Sequence, residues 1–207
     1  MNPKAHINCE NFPCQDVHHS GYLIPDIDLD PGKIKVMMIA EASPSQTSDY
    51  FYAQGDPLFQ QTTVLAFNDA GFPIRTIQEI LDLGVYLTTA VKCSKNGYAI
   101  RAGTINHCSF LLEQEMALFT NVKAYLLMGD TAIKAVNYIA KRDGADRVIP
   151  AGSTYKIRGG IFTFRSRRVF PSYLQAGPSF FIEKSKRKMI AEDISQAMKQ
   201  VQETHSA

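Results

Sequence analysis

At 207 residues, with 45% apolar residues, a formal net charge of +2 and no low-complexity tract, the chain is long enough to bury a full core. These values exclude the disordered and fibrous classes, and so small a net charge does not by itself mark a nucleic-acid binder. No apolar run approaches the ~20 residues of a membrane span, and "MNPKAHINCENFPC" at the N-terminus has no apolar h-region. A soluble, cytoplasmic, monomeric protein is therefore expected, folded as one domain over residues 1–207. In a reducing compartment its four cysteines are expected as buried thiols or ligands rather than disulfides.

Residues 1–30 form a cysteine-bearing leader that ends in the turn "DIDLDPGK". "IKVMMIAEA" then reads as a strand buried on both faces. "SPSQTSDYFYAQGDPLFQQ" is polar and rich in turn formers, so it reads as a long loop with a functional look. Thr62–Ala70 has helical spacing and stops at Gly71, and "PIRTIQEILDLG" is a short helix closed by Gly84. "VYLTTAV" is a second buried strand. Helical spacing returns from Thr104 to Phe119, and "NVKAYLLMG" gives a third strand. Asp130 is a candidate N-cap for "TAIKAVNYIAK". A glycine-rich hairpin region, "PAGSTYKIRGGIFTF", leads to a short strand ending in "VFPSY". The last helix is expected over residues 182–203, with Ile182, Met189, Ile190, Ile194, Met198 and Val201 on one stripe.

Alternating strands and helices without an internal repeat predict an α/β fold, a three-layer α/β/α sandwich around a short, mostly parallel four-stranded sheet. In such sheets chemistry collects beyond the carboxyl ends of the strands. That singles out the loops after Ala40, Val91 and Phe170.

The cysteines are spaced C-x4-C near the start (Cys9, Cys14) and C-x14-C later (Cys93, Cys108). The second pair is wide for zinc, whereas iron–sulfur clusters accept thiolates from distant segments. Four unrelated buried thiols are the alternative. Two basic clusters, Arg165, Arg167 and Arg168 in "FRSRR" and Lys184, Lys186, Arg187 and Lys188 in "EKSKRK", flank "VFPSYLQAGPSFF". They read either as a collar that tracks a phosphate backbone or as ordinary solvated surface. His6, His18, His19, His107 and His205 sit in polar or terminal contexts and read as surface residues. "GDTA" at Gly129–Ala132 is too short for a nucleotide fingerprint, so no nucleotide cofactor is expected and helix capping is the better account of it.

"IAEASPS", "YLTTAVKC", "HCSFLLEQEMALF", "AYLLMGDTAIKAV" and "VFPSYLQAG", in this order, resemble the uracil-DNA glycosylase superfamily, specifically its iron–sulfur branch. The resemblance runs from Cys9 to the C-terminal helix, and "VKC" with the next cysteine fifteen positions on is its most specific part. It implies a structural [4Fe-4S] cluster held by Cys9, Cys14, Cys93 and Cys108, although the branch usually shows C-x2-C where this chain has C-x4-C. It also implies a pocket for an extruded base at the GEAPG-like segment, where Glu41 is kept while Ala40 and Ser43 replace a glycine and a proline. The family's acidic residue six positions beyond the glutamate is Thr47 here, so Asp49 is the stand-in. "GDPLF" offers Phe59 (or Leu58) to stack on a base, against the plainer reading of Phe59 as a core aromatic.

Two departures stand out. Thr89 occupies the place of the asparagine in TNVVKC, and a hydroxyl offers one short contact where an amide offers two. Phe170 occupies the place of the histidine in HPSY and cannot stabilise charge on a departing base. The resemblance makes Tyr173 and Leu174 wedge candidates, with Ser172 and Ser179 set to touch phosphate. The implied function is excision of uracil or another deaminated base from DNA, with Glu41, Asp49 and Thr89 in catalytic roles. A catalytically silent nucleic-acid-binding relative is the rival reading, and an iron–sulfur redox protein a weaker third.

Overall fold

The structure, a computed structural model, describes residues 1–203, and of these the side chains up to Val201. Its strands are β1 (Val17–His18), β2 (Val36–Ser43), β3 (Val85–Lys95), β4 (Ala124–Met128), β5 (Phe162–Phe164) and β6 (Arg167–Ser172). Its helices are α1 (Leu58–Asp69), α2 (Ile77–Asp82), α3 (Ala102–Ala117), α4 (Asp130–Arg142), α5 (Thr154–Ile157), α6 (Ser179–Ile182) and α7 (Lys184–Glu203). They form an α/β sandwich around one sheet of order β1-β3-β2-β4-β6-β5. The expected four parallel strands are its centre, β3-β2-β4-β6, and two short antiparallel strands extend its edges. The sheet is thus six-stranded and mixed. The added pieces, two and three residues long, are too short to show an alternation of their own.

Unbroken apolar runs make the central strands because both of their faces are covered. One face carries α3 and α4, which bury Ile105, Leu112, Ile133 and Val136. The other carries α1, α2 and α7, which bury Phe67, Ile80, Ile190 and Ile194. The α7 stripe is narrower than its spacing implied: Ile194, Met198 and Val201 are buried, but Ile182 is 79% exposed and Met189 only half-buried. The helix begins at Lys184, so Ile182 lies on the separate turn α6. Gly84, at φ +80°, turns α2 into β3, and a Cβ there would meet the Lys33 carbonyl at 2.7 Å. Among the described residues no helix is long and apolar enough to cross a membrane.

The leader is fixed rather than flexible. The Met1 ammonium donates to the Leu29 carbonyl at 2.8 Å, and β1 pairs with Ser94 and Lys95 of β3. Asp16 caps α3 from outside: it accepts from the Arg101 N–H at 2.6 Å and from the Thr104 hydroxyl. Burial opposes its ionisation, but these hydrogen bonds outweigh it and hold the carboxyl below the ordinary aspartate range. His6, His18, His19 and His107 are exposed, as expected, and His205 lies outside the described residues.

Candidate functional site

A cavity of about 430 Å³ opens at the carboxyl ends of β2, β3 and β6, and its wall includes Glu41, Ser43, Asp49, Phe59, Lys95 and Leu174. Glu41 leaves the end of β2 and is held from two sides. Lys95 Nζ lies 2.8 Å from its Oε2, and the Thr131 N–H at the head of α4 donates to its Oε1 at 3.3 Å. The α4 N-terminus is therefore occupied by the Glu41 carboxylate, which its dipole favours. Gly129, not Asp130, takes the N-cap position, with φ +102°; a Cβ there would lie 2.6 Å from Glu41 Cγ. Asp130 instead pairs with Lys134 at 2.5 Å.

Asp49 ends the single helical turn Thr47–Asp49, half-buried, with its Oδ1 3.4 Å from the Leu58 N–H that opens α1. Phe59 is a core aromatic against Phe51 (centroids 5.2 Å apart) and also part of the cavity wall. Leu58 lines the wall as well.

Thr89 and Phe170 do not reach this wall. Thr89 is fully buried on β3, its hydroxyl without a hydrogen-bond partner. Phe170 lies on the mid-sheet row, in register with Leu126, packed in the core under the Arg168 guanidinium at 4.9 Å. The strand ends two residues later, and only there does the chain turn over the cavity. Ser172 is also buried and donates to Asp193 at 2.6 Å, so its hydroxyl is not free for a phosphate. Ser179 is exposed. Tyr173 and Leu174 are half-buried; Lys186 stands over the Tyr173 ring at 5.4 Å, and Leu174 lines the cavity.

The two basic clusters do not form one collar. β6 runs from Arg167 to Ser172, parallel to β4, so Arg165, Arg167 and Arg168 sit at the amino ends of the strands, away from the cavity. Arg165 occupies the tight β5–β6 turn at φ +47° and is gripped by Asp143 at 2.8 Å and by Glu113. Arg167 donates to the Val122 and Thr120 carbonyls, and Arg168 to the Phe162 carbonyl. The cluster at the head of α7 follows the loop from β6, and Lys186 stands over Tyr173 of that loop. Arg187 there pairs with Asp69 and Lys186 with Glu183, while Lys184 and Lys188 are exposed and carry no ion pair among the described residues.

The four cysteines gather in one corner, from the leader, β3 and α3, all as free thiols. Burial pushes the Cys93 thiol up to about 12, with the charges of Cys108, Cys9 and Cys14 adding to it. Burial pushes Cys108 up to about 11, and raises Cys14, whose partners include Thr104 and Cys108. Among the described residues no three His, Cys, Asp or Glu are arranged around a single metal ion. A four-iron cage sets each thiolate on a different iron, so its ligands stand farther apart than those of one zinc. Four neighbouring thiols, three of them buried and Cys14 half-buried, are a donor set that fits such a cage, because each thiolate is costly there until a cation offsets its charge.

One buried cluster went unread in the sequence. Lys92 and Glu115 form a fully buried ion pair; Lys92 also donates to the Thr88 hydroxyl (2.8 Å) and the Thr89 carbonyl (2.6 Å). Tyr86 donates to Glu115 at 2.7 Å, as does Thr88 at 2.9 Å. Tyr52 seals the free edge of β3 by bonding both the N–H and the carbonyl of Leu87. The signal was a lysine inside the apolar run "YLTTAVKC", since a charge in a doubly buried strand requires a partner.

The family model of the uracil DNA glycosylase superfamily matches residues 28–194. The match includes Cys93 and Cys108, while Cys9 and Cys14 precede it. Among curated proteins none matches the chain. With most of its length covered by that match, and with a mostly parallel α/β sheet beneath its cavity, the chain belongs to the uracil DNA glycosylase superfamily.

Proposed function

We propose that the chain is a DNA glycosylase that flips a deaminated base, such as uracil, and hydrolyses its N-glycosidic bond. The observation that carries this reading is the cavity that joins Glu41, Asp49, Phe59 and Leu174 at the carboxyl ends of the strands. Flipping needs an apolar ring to lie against the base, and Phe59 is in the wall. Asp49, half-buried and facing the cavity from α1's head, orients the attacking water. That water adds to the sugar C1′ and gives its proton to Asp49 as the bond to the base nitrogen breaks, and the base leaves with the electron pair. Glu41, tied to Lys95 and α4, keeps the floor in place. Tyr173 and Leu174, on the loop over the cavity, are the wedge, and Lys184, Lys186 and Lys188 follow the phosphates.

In this reading Cys9, Cys14, Cys93 and Cys108 hold a [4Fe-4S] cluster whose part is structural. It ties the leader, β3 and α3 beside the DNA surface.

A second reading, a silent DNA-binding relative, is favoured by Phe170. Burial of an apolar ring where the family places a charge-stabilising histidine removes a donor worth about 10²–10³ in rate. Oligonucleotides carrying uracil, hypoxanthine or xanthine, incubated with the protein and then cleaved with alkali, separate the two. Strand breaks at any of the three support the glycosylase. No break at any lesion, with the DNA still bound, leaves only the binder.

A further inference from the structure

Three buried polar side chains on the cavity side of the sheet lack partners: Tyr50, Thr89 and Gln175. Thr89 is in register with Ala40 of β2, whose methyl is the smallest side chain apart from glycine. Its Oγ1 is fully enclosed and bonded to nothing. Two residues before Ala40, on the same face, Met38 accepts a hydrogen bond at 3.3 Å from Nε2 of Gln175. A thioether is a weak acceptor, and Gln175 Oε1 has no partner at all, although the residue is fully buried. Whichever way the amide is turned, one end of it is left unsatisfied. A buried, half-used amide is destabilising in the resting protein, and such groups occur where a ligand completes them.

Gln175 is not itself in the cavity wall, but it sits on the segment that forms it. Its chain neighbours Leu174 and Ala176 both line the wall. We infer that Gln175 is the base-reading residue of this protein, supplying from the loop after β6 the two-sided amide contact that Thr89 no longer gives from β3. The inference rests on the glycosylase reading above and names its substrate edge. Nε2 held toward Met38 leaves Oε1 to accept, so the matching base presents a ring N–H beside a carbonyl. Uracil and xanthine present that N–H between two carbonyls, one of which accepts from the second hydrogen of Nε2. Cytosine presents the reverse pattern at that edge. When Leu174 leaves the wall to enter the duplex, the amide next to it in the chain is uncovered, so wedge insertion and base reading become one movement.

The test uses the full chain and Gln175→Met, which keeps the volume and removes the amide. Relative to the wild type, excision of uracil from an oligonucleotide is expected to fall about 10- to 100-fold. Affinity for an oligonucleotide with a tetrahydrofuran abasic analogue, which has no base to read, stays within twofold. The thermal midpoint does not fall, because an unsatisfied buried group has been removed. Unchanged excision overturns the inference and leaves the glycosylase reading standing. A drop in thermal midpoint matched by weaker abasic-analogue binding also overturns it, since that is the behaviour of a structural residue. If the wild type excises nothing, free uracil, xanthine and cytosine are titrated by ligand-observed NMR. Selective binding of uracil and xanthine that Gln175→Met abolishes sustains the inference while the glycosylase reading falls; no base binding by the wild type overturns both.

Discussion

Lys95 Nζ stands 2.8 Å from Glu41 Oε2, joining the carboxyl end of β3 to that of β2 across the mouth of the cavity. The pair is partly exposed, so its own contribution to stability is small, under about 1 kcal/mol. Its effect is to fix where the Glu41 carboxylate points, together with the Thr131 N–H. Lys95→Met is therefore expected to lower the thermal midpoint little while reducing excision by roughly tenfold. A melting curve and a single-turnover assay on the same preparation check the split. Equal losses in both would make the lysine a mere staple of the fold.

Lys92 and Glu115 predict the opposite pattern. Removing one partner strands a charge that has no water to turn to, which typically costs about 3–5 kcal/mol. Glu115→Leu and Lys92→Met are each expected to be severely destabilised, whereas the double variant recovers much of the loss. Urea denaturation of the three variants supplies the coupling, and additive losses would mean that the ammonium and carboxylate do not depend on each other.

How far the sequence was legible follows from particular residues. The central strands were readable because "IKVMMIAEA", "VYLTTAV" and "AYLLM" are unbroken apolar runs, the pattern of a strand covered on both faces. Phe162–Phe164 was legible only as the end of a hairpin region, because its pairing depends on the turn at Arg165 and Ser166 rather than on its own pattern. Glu41, Asp49, Phe59 and Leu174 converge because they end strands or open loops on one side of the sheet. The arginine cluster was misplaced for a simple geometric reason. Arg167 and Ser172 are close in sequence, but on one extended strand they are separated by roughly 17 Å. Gln175 carries no sequence signal, since only burial shows that its amide lacks a partner.

That geometry gives a test for the DNA face. Charge reversal at Lys184 and Lys188, which are exposed on the helix that follows the cavity loop and carry no ion pair among the described residues, should weaken DNA binding. Each phosphate that is no longer neutralised should reduce the slope of log affinity against log salt by about 0.9. Reversal at Arg167, whose guanidinium is spent on the Val122 and Thr120 carbonyls at the other end of the sheet, should leave the slope unchanged. Fluorescence anisotropy over a salt series distinguishes them, and the converse result would move the DNA to the strands' amino ends.

The cysteine corner makes an analytical prediction. If the four thiols hold a cluster, anaerobically purified protein carries about four irons and an equal amount of sulfide, and is brown. Cys93→Ser, which removes the ligand at the end of β3, loses the colour, the iron and much of the stability together. Cys14→Ser alters the most exposed of the four thiols and is expected to give a cluster that bleaches faster in air. Iron-free wild-type protein with an unchanged melting curve would show that the thiols pack without a metal.

Arg165 links α3 and α4 to the β5–β6 turn through Glu113 and Asp143, and this ties stability to pH. Burial raises the Glu113 pKa, but hydrogen bonds from Arg142 and Arg165 outweigh it, and the Arg165 hydrogen bond dominates at Asp143. Both carboxyls are thereby held below their ordinary range. A depressed folded-state pKa means that the folded chain binds protons less readily than the unfolded one. The stabilisation is then complete above the unfolded values near 4 and is lost as pH falls through the lower, folded values. Arg165→Ala should accordingly melt below the wild type at pH 6, and the gap should close as the pH approaches 2.5. Thermal scans of both proteins across that range read the gap directly, and a constant difference would assign the arginine's contribution to its guanidinium over Phe164 rather than to the two carboxylates.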